Sequence, residues 1–339
     1  MKKNNFVVGL VFGGKGEEDL YNIRAVLDVE KVLGERNIAS KRINLNNADF
    51  SKTKLSGVDL FFILDSNPID YSRRNVLLSF IEENRVDFVG QDECAFLTAR
   101  DKFKTNSILN KNKIKTPRSF LLDLKNSKDD ECVFLLEFFE NKFPLVVKDN
   151  FGSSSEGIGV CFNKEELRKI INLLSRKYSK LLVEEYIRGK EITVPCVKLF
   201  GKDIVLTPME IIYDGLIYDR KIKKSASNYL NLPPQIDEKL IKMAVEIARV
   251  ASEKTTCRFY SRLDMKLRGD DFYVLEINGE PVLTEDDFIS RGAKYLGISY
   301  PLLILGFLSN SKNFVDYVKK ENKNVHDEIK EGKKIIKSL

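Results

Sequence analysis

The sequence predicts an α/β fold whose C-terminal part is α+β, and two features indicate it. Residues 6–12 form a continuous apolar run, which is typical of a buried parallel strand. A Gly-Gly-Lys-Gly turn at 13–16 and an amphipathic helix over about 20–35 follow, and this order opens a doubly wound α/β unit. Alternating apolar and polar residues on both sides of 269–271 predict an antiparallel hairpin in the C-terminal part.

Strand and helix patterns alternate through the rest of the chain. In order, they predict strands over 41–45 and 58–64, a helix near 71–84, a strand over 87–90, a helix that begins at 99–102 and ends before 116, a helix over 132–141, strands over 144–149 and 158–162, a helix over 164–176, strands within 180–206, a helix over 236–254 and a strand over 257–267. These patterns predict four units: an α/β domain over 1–98, a central subdomain with a lid loop over 99–180, a C-terminal subdomain with a metal site over 181–310, and a charged tail over 311–339. We expect the tail to be a solvated helix with frayed ends.

Composition argues against several classes of protein. The net charge of +6 comes from 56 basic and 50 acidic residues, a balance that does not indicate a nucleic-acid partner. The single histidine, His326, argues against a mechanism that needs a histidine base or ligand. The five cysteines form no CxxC pair, which argues against zinc and disulfide frameworks. We see no signal peptide and no apolar run of membrane-spanning length, so we expect a cytoplasmic protein without a membrane partner.

The predicted hairpin carries chemistry on one of its faces. With 269–271 as the loop, Asp264 lies opposite Glu276 and Arg262 lies opposite Asn278. The apolar face then pairs Leu263 with Ile277, Met265 with Leu275 and Leu267 with Tyr273. Two opposed carboxylates repel each other unless a positive group lies between them, and two carboxylates with an amide oxygen suit Mg²⁺. The alternative is a solvated polar face on an ordinary hairpin.

Two upstream stretches are suited to a nucleotide. Residues 152–159 form a glycine- and serine-rich loop whose N–H groups and hydroxyls can cover phosphates, although it lacks the Gly-Lys-Ser/Thr of a Walker loop. The connector from Glu184 to Ile187 could hold an adenine by main-chain bonds, and Glu191 could hold a ribose. The alternatives are a flexible hairpin tip and an ordinary strand–turn–strand. The basic loop over 218–224 is by default a solvated surface.

The order of these motifs resembles the ATP-grasp superfamily, most closely the D-alanine–D-alanine ligases, over about residues 6–308. The matching motifs are Phe12-Gly-Gly, Asp101-Lys102, Pro144-Leu-Val-Val-Lys148, Gly152-Ser-Ser, Glu184-Glu-Tyr-Ile with Gly189-Lys-Glu191, Tyr218-Asp219 with Lys223, Arg262-Leu-Asp264 and Glu276-Ile-Asn278. Each motif is short, and the resemblance depends on their order and spacing together. It implies an ATP-grasp fold preceded by a Rossmann-like α/β domain.

The resemblance also implies roles for individual residues. It assigns ATP phosphates to Lys102, Lys148, Lys223 and the lid residues Gly152, Ser153 and Ser155, adenine to Glu184, Glu185, Tyr186 and Ile187, ribose to Glu191, Mg²⁺ (or Mn²⁺) to Asp264, Glu276 and Asn278, and catalytic or substrate contacts to Arg262, Glu18 and Ser154. The implied reaction has two steps. A carboxylate attacks the γ-phosphate to form an acyl phosphate, and an amine then displaces phosphate to leave an amide. Positioning and charge neutralisation supply most of such catalysis, so no histidine is required.

The chain departs from the family pattern in its amino-acid half. The family's Leu-His-Gly and Gly-Glu-Asp-Gly segments have no counterpart in residues 62–72, and the lid loop is one residue longer. Lys224 replaces a tyrosine, Val282 replaces a glycine, and Asp287 replaces the serine that would bind the acceptor's carboxylate. A carboxylate facing a carboxylate is repelled by ~1 kcal/mol or more at close range. We therefore expect an acceptor that lacks a carboxylate there or carries a positive group.

Three functions are consistent with this pattern. The main hypothesis is an ATP-dependent carboxylate–amine ligase with a non-standard substrate pair. An authentic D-alanine–D-alanine ligase of peptidoglycan synthesis is the alternative in the same class, and Lys224 and Asp287 argue against it. The alternative in another class is a non-catalytic ATP-binding regulatory module, against which the retained polar residues of the hairpin argue. Small amino acids or amines are the expected partners, and a homodimer is the expected assembly.

Overall fold

A parallel sheet forms the core of the N-terminal domain in the computed structural model, which describes residues 5–13, 17–47, 52–66, 71–125, 131–152, 157–218 and 229–339. The sheet has the strand order β2-β1-β3-β4 and comprises β1 (Val7–Phe12), β2 (Ala39–Asn44), β3 (Leu60–Ile63) and β4 (Asp87–Val89), with helices α1 (Glu17–Gly34), α2 (Lys52–Leu55) and α3 (Tyr71–Asn84). Because β2 and β3 flank β1, the carboxyl ends of β1 and β3 form a switch point, where α/β sheets bind ligands. The predicted Rossmann-like domain is therefore present.

Two short helices, rather than the single predicted helix, link this domain to the next sheet. They are α4 (Glu93–Arg100) and α5 (Lys102–Lys111). Asp101 separates them because its extended backbone ends α4, while its side chain accepts a hydrogen bond from the Lys104 N–H and so caps α5. This cap places Lys102 in the first turn of α5, where the resemblance implies a phosphate contact.

An antiparallel sheet forms the central part. It comprises β5 (Ser119–Asp123), β6 (Leu145–Asp149), β7 (Ile158–Cys161) and β8 (Lys180–Glu185) in the order β5-β8-β6-β7, with helices α6 (Glu131–Phe138) and α7 (Lys164–Leu174). Leu135 of α6 and Leu167 of α7 are buried in one cluster with Leu181 of β8. The helices therefore cover one face of the sheet, and β5 is a strand that the sequence analysis missed.

A second antiparallel sheet forms the C-terminal part. It comprises β9 (Lys190–Leu199), β10 (Lys202–Val205), β11 (Met209–Ile212), β12 (Tyr229–Asn231), β13 (Tyr260–Arg268) and β14 (Asp271–Asn278), in the order β12-β11-β9-β13-β14 with β10 also paired to β9. The predicted helix α8 (Glu238–Lys254) packs a stripe of small residues, Ala244, Ala248 and Ala251, against this sheet's core cluster. Helices α9 (Phe288–Tyr295) and α10 (Tyr300–Leu308) follow the hairpin.

The predicted register of the β13–β14 hairpin is correct on one side of a bulge and wrong on the other. Asp264 pairs with Glu276, as predicted, but the register shifts between Asp264 and Met265, so that Met265 pairs with Val274 rather than Leu275. A bulge adds one residue to one strand, and here it leaves Leu275 without a partner in the ladder. Leu275 consequently lines the same cavity as Glu276. The prediction failed because alternation alone cannot reveal an inserted residue.

The charged tail is also different from the prediction. Instead of a frayed, solvated helix, it forms α11 (Lys312–Glu321) and α12 (Lys323–Ser338). Phe314 and Val325 are fully buried in the cluster that contains the β1 strand, and the Phe314 ring lies 5.4 Å from that of Phe6. Arg36, at the end of α1, forms an ion pair of 2.8 Å with Glu328. The apolar stripe of the tail thus outweighs its high charge.

The most apolar helix, α10, packs into the interior of the protein, where all but one of its nine residues are buried. Over the described ranges, we find no helix with both the length and the apolar character needed to cross a membrane.

Candidate active site

A cavity of about 480 Å³ brings together the predicted site residues that the structure describes in full. Those that line it are Lys102, Lys148, Gly152, Glu184, Glu185, Tyr186, Ile187, Glu191, Arg262, Asp264, Glu276, Asn278, Val282 and Asp287. Ser153, Ser154, Ser155, Lys223 and Lys224 lie outside the described residues. Glu18 lies in the first turn of α1, and nothing is described of its side chain. The cavity therefore lies between the central and the C-terminal sheets, and it is lined by residues that were predicted from the sequence alone.

The Asp264 carboxylate is the centre of the polar face on the hairpin. Its Oδ2 accepts a hydrogen bond of 3.0 Å from Asn278 and one of 2.9 Å from Nη2 of Arg262, and its Oδ1 accepts bonds of 3.0 Å from Arg262 Nε and 2.6 Å from the Thr193 hydroxyl. Glu276 lies directly opposite it on β14. The three proposed metal ligands therefore lie on one face and point toward one cavity.

These residues have the donor chemistry that Mg²⁺ prefers, namely a few hard oxygens. Asp264 is 11% exposed in its side chain and Glu276 is 32% exposed, so a cation could reach both. Within the described residues, no three His, Cys, Asp or Glu side chains are close enough to hold a metal ion together. A cation held here would therefore need the Asn278 amide and oxygens supplied by a nucleotide, which fits a Mg²⁺–triphosphate better than a metal held by protein alone.

Lys102 approaches the proposed metal site from α5. Its ammonium lies 3.7 Å from Glu276 Oε2 and donates to the carbonyl of Gly152, where the predicted lid loop begins. Burial lowers the pKa of Lys102, and the neighbouring Glu276 carboxylate opposes that shift. This buried positive charge is placed to meet an anionic group that enters between the lid loop and the hairpin.

Lys148 lies near the end of β6, in the central sheet, and lines the cavity. Its ammonium forms an ion pair of 2.6 Å with Glu184 and donates a bond of 3.3 Å to the carbonyl of Leu275, the bulge residue. Asn106 of α5 donates a hydrogen bond of 3.1 Å to Oε1, the other oxygen of the Glu184 carboxylate. The Glu184 side chain is thus fully engaged in holding Lys148, so a base that binds here would rely on the main chain after Glu184.

The connector after β8 supplies that main chain. The structure gives residues 186–188 no regular secondary structure, and Ile187 is buried there. The Tyr186 hydroxyl donates a hydrogen bond of 2.8 Å to the carbonyl of Leu216, and Leu216 also lines the cavity. An irregular connector beside apolar side chains leaves backbone groups available, so the contact to a planar base stays a prediction that this geometry allows.

Lys266 is a site residue that the sequence analysis missed. It lies directly opposite Glu191 in the β13–β9 pairing, with its ammonium 3.0 Å from Glu191 Oε2. The period of two along β13 was sufficient to find it, because Lys266 shares its face with Asp264. Tyr213 also donates to Glu191 Oε2, at 2.7 Å. The predicted ribose ligand is therefore held by two neighbours, only one of which lines the cavity.

Asp287 immediately precedes α9, at the end of the cavity that Arg262 and Phe288 also line. Its Oδ1 is buried and has no hydrogen-bond partner among the described residues. Burial raises the pKa of Asp287 to about 6, against the opposing effect of the Arg262 guanidinium. Arg262 in turn lies over the Phe288 ring, 4.9 Å from its centroid. This end of the cavity thus has a carboxylate beside the proposed catalytic arginine.

Buried polar residues beneath this end come from the N-terminal domain and, in the case of Glu280, from the segment after β14, and they were also missed. Asn22 donates a hydrogen bond of 2.5 Å to the carbonyl of Gly13 and accepts one of 2.8 Å from the Ser66 hydroxyl. These two bonds link the segments that follow β1 and β3. Arg74 and Glu280 form an ion pair of 2.8 Å with side chains 1% and 0% exposed. Glu280 and Ser66 line the cavity. Ser66 lies within residues 62–72, where the family's Leu-His-Gly segment has no counterpart.

A larger groove, of about 1720 Å³, lies elsewhere on the surface, along β4, β10 and α8. Its described lining includes none of the predicted site residues, and its charged residues, such as Arg85, Asp203 and Arg249, are exposed. The smaller cavity is the better candidate for chemistry because buried opposite charges converge there.

Comparisons with known proteins agree with the geometry. A family model described as "D-ala D-ala ligase C-terminus" matches residues 109–309. A D-alanine–D-alanine ligase of Carboxydothermus hydrogenoformans is 27% identical over 301 residues, which cover 88% of this chain and 95% of the relative. A D-alanine–D-alanine ligase of Pelagibacter ubique is 30% identical over 237 residues, which cover 69% of this chain and 75% of the relative.

A solved structure extends the agreement to the fold. The D-alanine–D-alanine ligase of Bacillus anthracis complexed with ATP superposes with a TM-score of 0.75 at 23% identity, over 92% of this chain and 99% of that one. The resemblance predicted from the motif order is thereby confirmed. The chain belongs to the D-alanine–D-alanine ligase family, whose members have the ATP-grasp fold and are ATP-dependent enzymes that form a carbon–nitrogen bond.

Proposed function

We propose that the chain is a Mg²⁺–ATP-dependent ligase that activates a carboxylate as an acyl phosphate and transfers it to an amine that has no carboxylate beside Asp287. The observation that carries the proposal is one cavity in which Asp264, Glu276 and Asn278 face the buried ammonium of Lys102. Hard oxygens next to a buried cation suit a metal–triphosphate, because the metal binds to the oxygens while the lysine neutralises phosphate charge.

In the first step, the donor carboxylate oxygen attacks the γ-phosphorus, the bond from that phosphorus to the bridging oxygen breaks, and ADP leaves. Lys102 and Lys148 would bind phosphate oxygens as point charges and hold the γ-phosphate in line with the attacking oxygen. Mg²⁺, when bound to the hairpin residues, neutralises the charge on the phosphates.

In the second step, the amine nitrogen attacks the acyl carbon, the resulting tetrahedral intermediate expels phosphate, and a proton leaves the nitrogen. Arg262 is the residue we expect to stabilise the oxyanion of that intermediate, with a backbone N–H near Val282. Its position above the Phe288 ring limits the directions in which the guanidinium can point. The ring thus supports Arg262 at the end of the cavity where Asp287 lies.

The proposal for the acceptor depends on Asp287. If the acceptor substrate had a carboxylate at this position, that carboxylate would meet the buried Oδ1 of Asp287, which has no hydrogen-bond partner among the described residues. Like charges repel each other by ~1 kcal/mol or more at close range. An amine without a carboxylate avoids that repulsion, and one with a second positive group is attracted. We therefore favour a small amine or a cationic amino acid over D-alanine as the acceptor.

The test is release of ADP and phosphate in the presence of Mg²⁺–ATP, with pairs drawn from D- and L-amino acids and small amines. We expect turnover with at least one pair whose acceptor lacks the carboxylate, and Asp287→Ser should shift preference toward amino-acid acceptors. Absence of ADP release with every carboxylate donor would overturn the ligase proposal, and a wild-type preference for D-alanine or another uncharged amino acid as the acceptor would overturn the role of Asp287.

An authentic D-alanine–D-alanine ligase is the second candidate, because the relatives named above carry that activity in their names. D-alanine alone, as both donor and acceptor, distinguishes the two proposals. Fast turnover with D-alanine as the sole amino acid would favour the second candidate. Turnover that needs an added amine would favour the first.

We also keep the homodimer and the cytoplasmic location that the sequence analysis expected. The need for ATP and Mg²⁺ supports the location, since both are abundant in the cytoplasm. Sedimentation equilibrium tests the dimer, and a mass equal to one chain at all concentrations would contradict it.

A further inference from the structure

Lys266 is a buried lysine in the cavity wall, two residues beyond Asp264 on β13. Only 9% of its side chain is exposed. Alternation along the strand gives it the same side as Asp264, and the pairing with β9 puts Glu191 directly opposite. A buried lysine is costly unless it is paired and hydrogen-bonded, so its partners indicate what it does.

The ammonium of Lys266 is saturated by protein groups. It lies 3.0 Å from Glu191 Oε2 and donates two hydrogen bonds, one of 2.9 Å to the Tyr213 hydroxyl and one of 3.4 Å to the carbonyl of Gly189. An ammonium has three donors, and each of them has a partner here. Lys266 is therefore not available to bind a phosphate as Lys102 and Lys148 are, although it lines the same cavity.

Among the residues that the structure describes, the contacts of the Glu191 carboxylate are to one of its two oxygens. Lys266 and Tyr213 both contact Oε2, and neither contact uses Oε1. Burial and the Glu191 carboxylate raise the pKa of Tyr213, so its hydroxyl keeps the proton that it donates. Two donors on one oxygen fix the rotamer of the carboxylate and leave Oε1 as an acceptor that can face the cavity, which Glu191 lines.

We propose that Lys266 is a positioning residue that sets the preference of the site for a ribonucleotide, by holding Glu191 so that Oε1 accepts a hydrogen bond from a ribose hydroxyl. This inference rests on the proposed nucleotide-binding function. Without the ammonium, Glu191 would lose its charged partner and could turn away from the ribose. A sugar that lacks the hydroxyl should then bind as well as one that has it.

The experiment measures binding rather than turnover, so it does not need the substrate pair. Dissociation constants of ATP, 2′-deoxy-ATP and 3′-deoxy-ATP are measured by calorimetry with Mg²⁺ present. For the wild type we expect one of the two deoxynucleotides to bind about 10-fold more weakly than ATP, because a buried acceptor is left unpaired. Which of the two it is identifies the hydroxyl.

Lys266→Met should weaken ATP binding by about 10-fold and reduce the ratio between that deoxynucleotide and ATP to less than about 2-fold. Lys266→Arg, which keeps a cation, should retain a ratio closer to that of the wild type. The control is Lys190→Met, because Lys190 forms an ion pair of 2.8 Å with Glu210 in the same sheet, is 45% exposed, and is not part of the described cavity lining. The control should keep the wild-type ratio.

An unchanged ratio in Lys266→Met, or an equal loss in Lys190→Met, would overturn the inference. If Lys266→Met does not fold, Lys266→Gln decides, since it removes the ammonium but keeps a polar side chain; a ratio equal to that of the wild type would then overturn the inference. Failure of the wild type to bind any nucleotide is a different result, which would overturn the proposed function itself.

Discussion

Arg262 and Asp264 form a two-point ion pair along one strand, with Arg262 Nε 3.0 Å from Oδ1 and Nη2 2.9 Å from Oδ2. Residues two apart on a strand share a face, so the pair needs no bend in the backbone. Arg262 thus contacts the oxygens that we propose for Mg²⁺. A cation that binds to Asp264 would weaken this pair and free the guanidinium to contact the tetrahedral intermediate. Under the proposed function, binding of a metal–nucleotide to Asp264 and release of Arg262 would therefore be coupled.

Asp264→Asn should abolish turnover while the protein remains folded. The amide keeps the shape and can still accept from Thr193, but it loses the charge that binds the metal, so we expect ADP release to fall by about 100-fold or more. Circular dichroism and thermal unfolding check the fold. Asp271→Asn is the control, because Asp271 lies in the same hairpin and pairs with Lys115 at an exposed position. Activity equal to the wild type in Asp264→Asn would remove the metal assignment.

Removal of Mg²⁺ should remove the stabilisation that ATP gives. A ligand at 100 times its dissociation constant stabilises the folded state by about 2.7 kcal/mol, which raises the unfolding temperature by a few degrees. With excess chelator we expect this increase to disappear, and Mn²⁺ should restore it. The chelator alone, without ATP, should leave the unfolding temperature unchanged. An ATP effect that persists in chelator would show that nucleotide binding does not need the hairpin carboxylates.

Local alternation was sufficient to predict the polar face of the hairpin but not its bulge. Asp264 and Glu276 were placed correctly because the period of two sets the face of each strand. Leu275 was misplaced because an inserted residue leaves the pattern of apolar residues almost unchanged. The tail was misjudged for a different reason: its helices bury Phe314 and Val325 against a distant strand, and no local pattern shows what a helix will pack on.

The pair of Arg74 and Glu280 should be essential for stability, although neither was predicted. Both side chains are almost fully buried, so Arg74→Met would leave a buried carboxylate without its charged partner, at a cost of about 3–5 kcal/mol. The midpoint of denaturant unfolding measures it. Adding Glu280→Gln to that variant should recover part of the loss. Lys142→Met, which breaks an exposed pair with Glu140, is the control and should leave the midpoint unchanged.

Asp287 should make stability depend on pH between about 4 and 6. Its folded pKa of about 6 is above the unfolded value of about 3.9, so the unfolded chain releases this proton first as pH rises. The free energy of unfolding is therefore highest with respect to Asp287 below pH ~4, declines between the two pKa values, and above pH ~6 is lower by about 3 kcal/mol.

Asp287→Asn removes that titration and should be more stable than the wild type at pH 7, with the difference vanishing near pH 4. Asp286→Asn is the neighbouring control, since Asp286 is more exposed and pairs with Arg24 at 3.1 Å. Thermal unfolding across this pH range measures both variants. A wild-type advantage at pH 7 would show that the Asp287 carboxylate is stabilised by Arg262 more than it is penalised by burial.

The tail should stabilise the N-terminal domain through its apolar stripe. Phe314 is fully buried and contacts the Phe6 ring, so Phe314→Ala should cost about 3–5 kcal/mol by leaving a cavity. Lys320→Ala changes an exposed residue of the same helix and should have no measurable effect. Because Phe314 lies in the cluster around β1 and is not part of the described cavity lining, ATP affinity should be unchanged at temperatures where the variant is folded. Calorimetry at such a temperature separates the two effects. A loss of affinity without a loss of stability would mean that the tail acts on the site and not on the fold.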